Sequence, residues 1–326
     1  IDISNNTVKK ILVLGATGFI GRNVVEYFST LPHYEVYGSY FRSDPLENSN
    51  VNMIQADLTK KQDVKNIMKG MDIVVQAAAV TSGIKDVAQE PQKIIAENAV
   101  MNSWIFRSAF EYSIPHLILL SCTVMYHSSA IPLKESDFDA NREIYPSYFG
   151  GAWNKVYFEK ICEFYSSLGR NKFTALRHSN IYGPYDKFDL EKSHAFGATM
   201  TKVMTAKDGK INVWGKGEEK RDLLYVSDLV RFVELVIFKQ NSPYELYNVG
   251  YGISISINDL VQKIINCSGK RFEIEHDLTK PSNETALSLD CSKAKKNLSW
   301  EPEVSLEEGI RKTMEWYRKN LLKGIK

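Results

Sequence analysis

Short apolar runs alternate with stretches of helical spacing along the first half of the chain. Lys10-Ile11-Leu12-Val13-Leu14 is an apolar run of strand length, and Arg22 to Phe28 has its apolar positions at the helical period. Tyr34 to Tyr40 and Asn52 to Ala56 predict a second and a third strand. Asp72-Ile73-Val74-Val75-Gln76 predicts a fourth, nearly all apolar, as in a parallel sheet covered on both faces. Pro91 to Tyr112 predicts a long helix: Ile94, Ile95, Met101, Ile105, Ala109 and Tyr112 keep helical spacing, and Asn98 interrupts the apolar face. His116 to Leu120 and Phe173 to Arg177 are a fifth and a sixth strand, with a helix over Gly151 to Leu168 between them. Leu229 to Phe238 predicts a further helix, and Gly309 to Asn320 closes the chain as an amphipathic one.

The first strand breaks into Gly15-Ala16-Thr17-Gly18-Phe19-Ile20-Gly21 before the first helix. Strand, glycine turn and helix together hold a pyrophosphate. Gly15 permits the tight turn, Gly18 lets backbone approach phosphate, and Gly21 lets the helix pack closely on the strand. The second strand ends in Tyr40-Phe41-Arg42-Ser43, with no carboxylate before Asp44. A carboxylate there bonds the ribose 2′-OH of NAD, whereas an Arg accommodates the 2′-phosphate of NADP. Arg42 therefore predicts NADP, with NAD as the alternative; the other reading of Arg42 is a solvated surface side chain.

Bulk properties narrow the partners. The 41 basic and 39 acidic residues nearly cancel, so charge gives no case for nucleic acid or an anionic membrane. No run of about 18 apolar residues exists to span a bilayer, and the first nine residues lack the apolar core of a signal peptide. Cys122, Cys162, Cys267 and Cys291 are far apart and form no Cys-x-x-Cys, which fits a reducing cytoplasm and not a zinc site.

The Gly-x-x-Gly-x-x-Gly spacing with Phe19-Ile20 resembles the extended short-chain dehydrogenase/reductase superfamily, rich in nucleotide-sugar epimerases, dehydratases and reductases. The resemblance implies that Asp57 and Leu58 contact adenine. Ala77, Ala78 and Ala79 leave room for the cofactor, allow close strand–helix packing, or do both, and Val80 to Gly83 form a loop above the nicotinamide. Asn98 has either a place near the active-site helix or a structural role for its amide. Aligning Ser121 to Tyr126 on the tyrosine puts Cys122 at the usual catalytic Ser/Thr, with Thr123 next to it. A thiol is a poor donor, so Thr123 is the better hydroxyl, and which of the two faces substrate stays open. The signature Tyr-x-x-x-Lys keeps its Lys as Lys155, which in the superfamily holds the nicotinamide ribose. Gly151 stands in place of the Tyr, with Tyr148 three residues earlier.

Arg177-His178-Ser179-Asn180-Ile181-Tyr182-Gly183-Pro184 matches the superfamily's Arg-x-x-Asn-x-Tyr-Gly-Pro in full. It implies Asn180 at the sugar nucleotide and Ile181 at the nicotinamide amide. Phe188 to His194 resembles GDP-L-fucose synthases, in which a Ser-His pair opens the next helix and the His serves as an acid; His194 takes that possibility, or is simply a helix-start His. Arg221 then grips the nucleotide diphosphate, Trp214 lies near the base, and Asp228 caps the following helix. The phosphate-binding Arg of fucose synthases aligns with Ala286.

The reading is therefore an α/β fold: a Rossmann-like doubly wound parallel sheet over residues 1–180, and a smaller α/β substrate domain over 181–326. Segments near 211–250 are expected to return to the sheet. The resemblance implies a cytoplasmic, NAD(P)-dependent nucleotide-sugar epimerase or reductase of bacterial surface-polysaccharide synthesis with catalytic Thr123, Lys155, His194 and Cys122. The rival reading is a nucleotide-sugar-binding protein impaired in catalysis by Gly151. Ile105, Phe106, Phe110, Phe158, Phe164 and Tyr165 exceed one buried face on the two long helices and suggest a homodimer.

Overall fold

The computed structural model describes residues 8–80, 91–190, 193–280 and 285–322. Seven strands form the main sheet: β1 (Lys9–Leu14), β2 (Tyr34–Tyr40), β3 (Val51–Gln55), β4 (Ile73–Gln76), β5 (His116–Leu120), β6 (Lys172–His178) and β10 (Tyr244–Val249). Their order is β10-β6-β5-β4-β1-β2-β3, and every neighbouring pair from β6 to β3 is parallel. The chain reverses its direction of winding between β1 and β4, and in such a sheet a ligand crevice opens there, at the carboxyl ends of the strands. The fold is thus the Rossmann-like parallel sheet that the apolar strands foretell.

Helices α1 (Phe19–Phe28), α2 (Lys61–Met68), α3 (Pro91–Glu111), α4 (Phe149–Ser167) and α6 (Val226–Lys239) accompany this sheet, with α5 (Ala195–Thr205) elsewhere. Leu12, Leu14, Val74, Ile105, Phe106, Leu117, Phe158 and Phe173 meet in one core. Three of the six residues read as a dimer face, Ile105, Phe106 and Phe158, are therefore used inside the chain. Phe110 and Tyr165 are half-buried and only Phe164 is exposed.

The chain divides into two compact units, and the division is not a cut near 180. The first holds residues 1–125, 144–177 and 230–247; the second holds 126–143, 178–229 and 248–326. Of the stretch 211–250, only β10 joins the main sheet; β8 (Lys210–Trp214) and β9 (Lys220–Tyr225) belong to small sheets of the second unit. There β11 (Ser254–Ser256), β9 and β7 (Asn180–Tyr182) form one sheet, and β8 pairs in parallel with β12 (Glu273–Asp277). Helices α5, α7 (Ile257–Ser268) and α9 (Leu306–Asn320) supply Phe196, Met200, Leu260, Ile264, Ile310 and Met314 to its core; α8 is Ser292–Leu298.

Asp228 corrects its reading as a cap. It lies inside the first turn of α6, and its carboxylate accepts the Glu303 and Val304 amides at 3.0 Å each. Asn98 has a structural role: its amide receives the Val80 N–H at 3.0 Å and donates to the Val80 carbonyl at 2.9 Å. No helix among the described residues is long and apolar enough to cross a membrane.

His116 opens β5 as a buried neutral ring. Thr174 donates its hydroxyl proton to Gln240 Oε1, so it accepts from His116 Nε2 at 2.7 Å, and Nδ1 has no hydrogen-bond partner. Burial, with the Lys172 and Lys9 charges, pushes its pKa down to about 3. Between the ordinary His value of about 6.5 and that lowered value only the unfolded chain takes up the proton, so acid erodes stability over this window. His116→Gln keeps a donor but cannot titrate; urea melts from pH 7 to pH 4 should show a shallower loss of stability than in the parent.

Candidate active site

The glycine turn lies at the crevice end of β1. Gly15 has φ +78°, and a Cβ on it would fall 2.7 Å from the Ala78 Cα. A Cβ on Gly21 would fall 2.1 Å from the Gly15 carbonyl oxygen, so neither position admits a side chain. The Gly18 amide closes the turn on the Gly15 carbonyl at 3.0 Å. Buried Ser39 of β2 receives the Gly15 N–H on its Oγ and the Ala16 N–H on its carbonyl, both at 2.9 Å. Thr17 Oγ1 accepts from Ser43 at 2.8 Å, which ties the turn to the loop after β2.

Gly18 is the N-cap of α1, with no side-chain cap and no acidic residue in the first turn, where Phe19 and Ile20 are half-buried. Amide groups and the positive end of the helix dipole thus meet no carboxylate of the helix's own. A tight glycine turn that admits no Cβ at Gly15 or Gly21, beside a helix end of this kind, fits a dinucleotide pyrophosphate. Ala77, Ala78 and Ala79 follow β4 across the crevice, where the Gln76 side chain holds the Ala78 backbone at 3.1 and 3.2 Å. Thr81, Ser82 and Gly83, expected above the nicotinamide, lie outside the described residues, as do Glu191 and Lys192 of the fucose-synthase-like stretch.

Arg42 is exposed, its guanidinium 5.1 Å from the centre of the exposed Phe41 ring. Beyond it, Asp57 is half-buried at the end of β3 and Leu58 is buried. Partial burial pushes the Asp57 carboxyl up. Hydrogen bonds from Thr59 and the charges of Lys60 and Arg42 outweigh that and hold it below the usual carboxylate range.

Lys155 projects from α4 to the end of β5, where its Nζ donates to the Leu120 carbonyl at 3.1 Å. Gly151, Lys155 and Glu159 are successive i, i+4 positions on one face of that helix. Cys122 and Thr123 follow β5 after Ser121. Burial pushes the Cys122 thiol up, and the neighbouring Lys155 charge and the Val124 amide only partly offset this. It is thus a neutral thiol at neutral pH. A Cβ at Gly151 would meet nothing within 4 Å, so the fold itself does not require glycine there. Tyr126 is not free to substitute for the missing phenol: its hydroxyl donates to Asn248 Oδ1 at 2.7 Å. Tyr148 stands just before α4 with its ring exposed.

The second unit holds the remaining candidates. Asn180 opens β7, its amide donating to the Asp222 carbonyl at 3.3 Å, and Ile181 is buried beside it. Arg221 on β9 donates to Thr285 Oγ1 at 2.8 Å and pairs with Glu219 at 3.0 Å. Trp214 is exposed at the end of β8, with the Lys202 and Lys280 ammonium groups 5.9 and 5.5 Å from its ring centre. His194 is the N-cap of α5. Surrounding protein, and then the Lys187 charge, hold its imidazole below the ordinary value although the side chain is open to solvent.

The model of the NAD dependent epimerase/dehydratase family matches residues 11–250. The chain belongs to this family. Over 323 residues it is 28% identical to a GDP-L-fucose synthase of Azorhizobium caulinodans, covering 95% of this chain and 96% of that one. It is 26% identical to a GDP-L-colitose synthase of Yersinia pseudotuberculosis, covering 94% and 97%. Among solved structures, the UDP-glucose 4-epimerase of Thermotoga maritima with UDP-glucose superposes with a TM-score of 0.84 at 25% identity, covering 96% of this chain and 99% of that one.

Within this NAD(P)-dependent family fold, the first unit brings together the glycine turn, Ala77–Ala79, Cys122, Thr123 and Lys155. Asn180, Ile181, His194, Trp214 and Arg221 belong to the second. Sequence motifs missed Ser39 and Glu159, and gave Arg177 a place in a motif but no partner. Ser39 holds the glycine turn, and the buried Glu159 carboxylate accepts from Ser121 and from Arg177. Glu159 had a signal: a carboxylate one turn beyond Lys155, beside the apolar Phe158 and Cys162.

Proposed function

We propose that this protein epimerises or reduces a nucleoside-diphosphate sugar, with NADP as its cofactor and NAD as the alternative, in the formation of bacterial surface-polysaccharide sugars. The observation that carries the reading is the pairing, in one unit, of a cradle fitted to a dinucleotide with Lys155 anchored at the end of β5. A nicotinamide held there would supply hydride from its reduced form for a reduction, or would accept hydride and return it for an epimerisation. Lys155 holds its ribose. Asn180, Trp214 and Arg221 hold the nucleotide sugar, and Arg221 exchanges part of its pairing with Glu219 for the diphosphate.

With no phenol at position 151, the proton moves through the Thr123 hydroxyl or the His194 imidazole. The neutral Cys122 thiol is the poorer donor. A second reading, binding without turnover, is favoured by Gly151 itself. Conversion of GDP-, UDP- and dTDP-sugars by the parent and by two variants separates these. On the first reading the parent turns over at least one of them, and either His194→Ala or Thr123→Val loses roughly 10²–10⁴ in kcat. Full activity in both variants removes both groups from the mechanism. A parent inactive on every sugar that gains activity as Gly151→Tyr, a change for which the fold leaves room at Cβ, establishes the binding-only reading.

The cofactor preference is tested by calorimetric titration. Arg42→Ala should weaken NADP binding about tenfold, the value of one charge-assisted hydrogen bond, and leave NAD binding unchanged. Tighter binding of NAD by the parent overturns the assignment.

The proposed assembly is a homodimer through α3 and α4, whose exposed large apolar side chains are Val100, Phe149, Tyr157 and Phe164, with Leu168 just after. Light scattering at micromolar concentration should give twice the 37.1 kDa of one chain; a monomer mass excludes it.

A further inference from the structure

A buried charged network lies directly beneath Lys155 and Cys122. The Glu159 carboxylate on α4 accepts the Ser121 hydroxyl at 2.7 Å, Arg177 Nε at 3.1 and 3.2 Å, and the Arg177 terminal nitrogen at 2.7 Å. The Arg177 and Glu159 side chains are 4% and 3% exposed. Each partner comes from a different element. Glu159 is one helical turn beyond Lys155. Ser121 lies between Leu120, whose carbonyl receives Lys155, and Cys122. Arg177 lies next to Leu176, whose carbonyl receives the Ser121 amide at 2.8 Å. One carboxylate thus joins the helix face to the ends of two parallel strands.

We infer that the Glu159–Arg177 pair, acting through Ser121, is a positioning device that sets where the Lys155 ammonium and the Cys122–Thr123 turn stand at the end of β5. Stability alone is a weak reason to keep it. A buried ion pair replaced by apolar groups of similar volume is often neutral or better for folding, whereas removal of one partner leaves a buried charge. The pair gives geometry that an apolar contact does not: one acceptor on a helix and donors from two strand ends, with fixed directions, meeting at one point. Electrostatics agree, since Glu159 and Arg177 both act on the Cys122 thiol together with Lys155. The inference rests on the proposed NADP-linked reaction and adds two residues that touch neither substrate nor cofactor.

The test is the double variant Glu159→Met/Arg177→Met, with Ser121→Ala beside it. The double variant should melt within about 5 °C of the parent, as a volume-conserving neutral replacement. Its calorimetric affinity for NADP should fall about tenfold or more and kcat by a similar factor, with the sugar-nucleotide KM unchanged, because the displaced group is Lys155. Ser121→Ala should show the same pattern at about threefold, the loss of one hydrogen bond. A folded double variant with parental NADP affinity overturns the inference; should the double variant not fold, parental NADP affinity and kcat in Ser121→Ala overturn it. A parent that binds NADP but converts no sugar defeats the proposed reaction alone, and the NADP affinities still decide the role of the pair.

Discussion

The space of one methyl group at the start of α1 governs the first unit. A Cβ on Gly21 would fall far inside van der Waals contact with the Gly15 carbonyl, and one on Gly15 would enter the backbone after β4. Helix, first strand and fourth strand can therefore approach one another only because these positions are bare. That approach brings the amino end of α1 to the crevice and makes its amides available to an anion. Lys155 and the Cys122–Thr123 turn matter only because they stand at the same edge of the same sheet, at the end of β5, one strand away from β4.

Two kinds of glycine follow from this, and they carry different information. Gly15 and Gly21 are dictated by contacts within the chain, and their presence in a sequence reports on folding. Gly151 meets no such contact. Glycine in a helix interior costs about 0.5–1 kcal/mol relative to alanine, and here no compensating close approach repays it. Nothing in how the chain folds therefore accounts for glycine at this position.

The parallel sheet was legible because its strands are buried on both faces and read as unbroken apolar runs, with the glycine turn fixing where the first ends. The motifs likewise located Lys155, Asn180 and Arg221 on the elements that bear them. Legibility failed where a polar side chain serves a distant segment. Asp228 looks like a helix cap because caps are local and frequent, yet its carboxylate serves amides near residue 303. Ile105, Phe106 and Phe158 looked like surplus apolar residues because the helix period does not reveal how much of a helix's circumference the core encloses. Glu159 and Arg177 were invisible as partners because they are 18 residues apart and become neighbours only when β6 takes its place beside β5.

The division of the chain has a consequence for the order of its manufacture. The path passes between the two units after residues 125, 143, 177, 229 and 247, so neither unit is one continuous stretch of polypeptide. A ribosome delivers the strands from β1 to β6 early, but the edge strand β10 that completes their sheet emerges only after the whole of the second unit's first two segments. The flank of β6 stays unpaired during that interval, and an unpaired strand edge is a template for wrong partners. The nascent sheet is thus exposed on one side for the time needed to translate some seventy residues, from the end of β6 at His178 to the end of β10 at Val249.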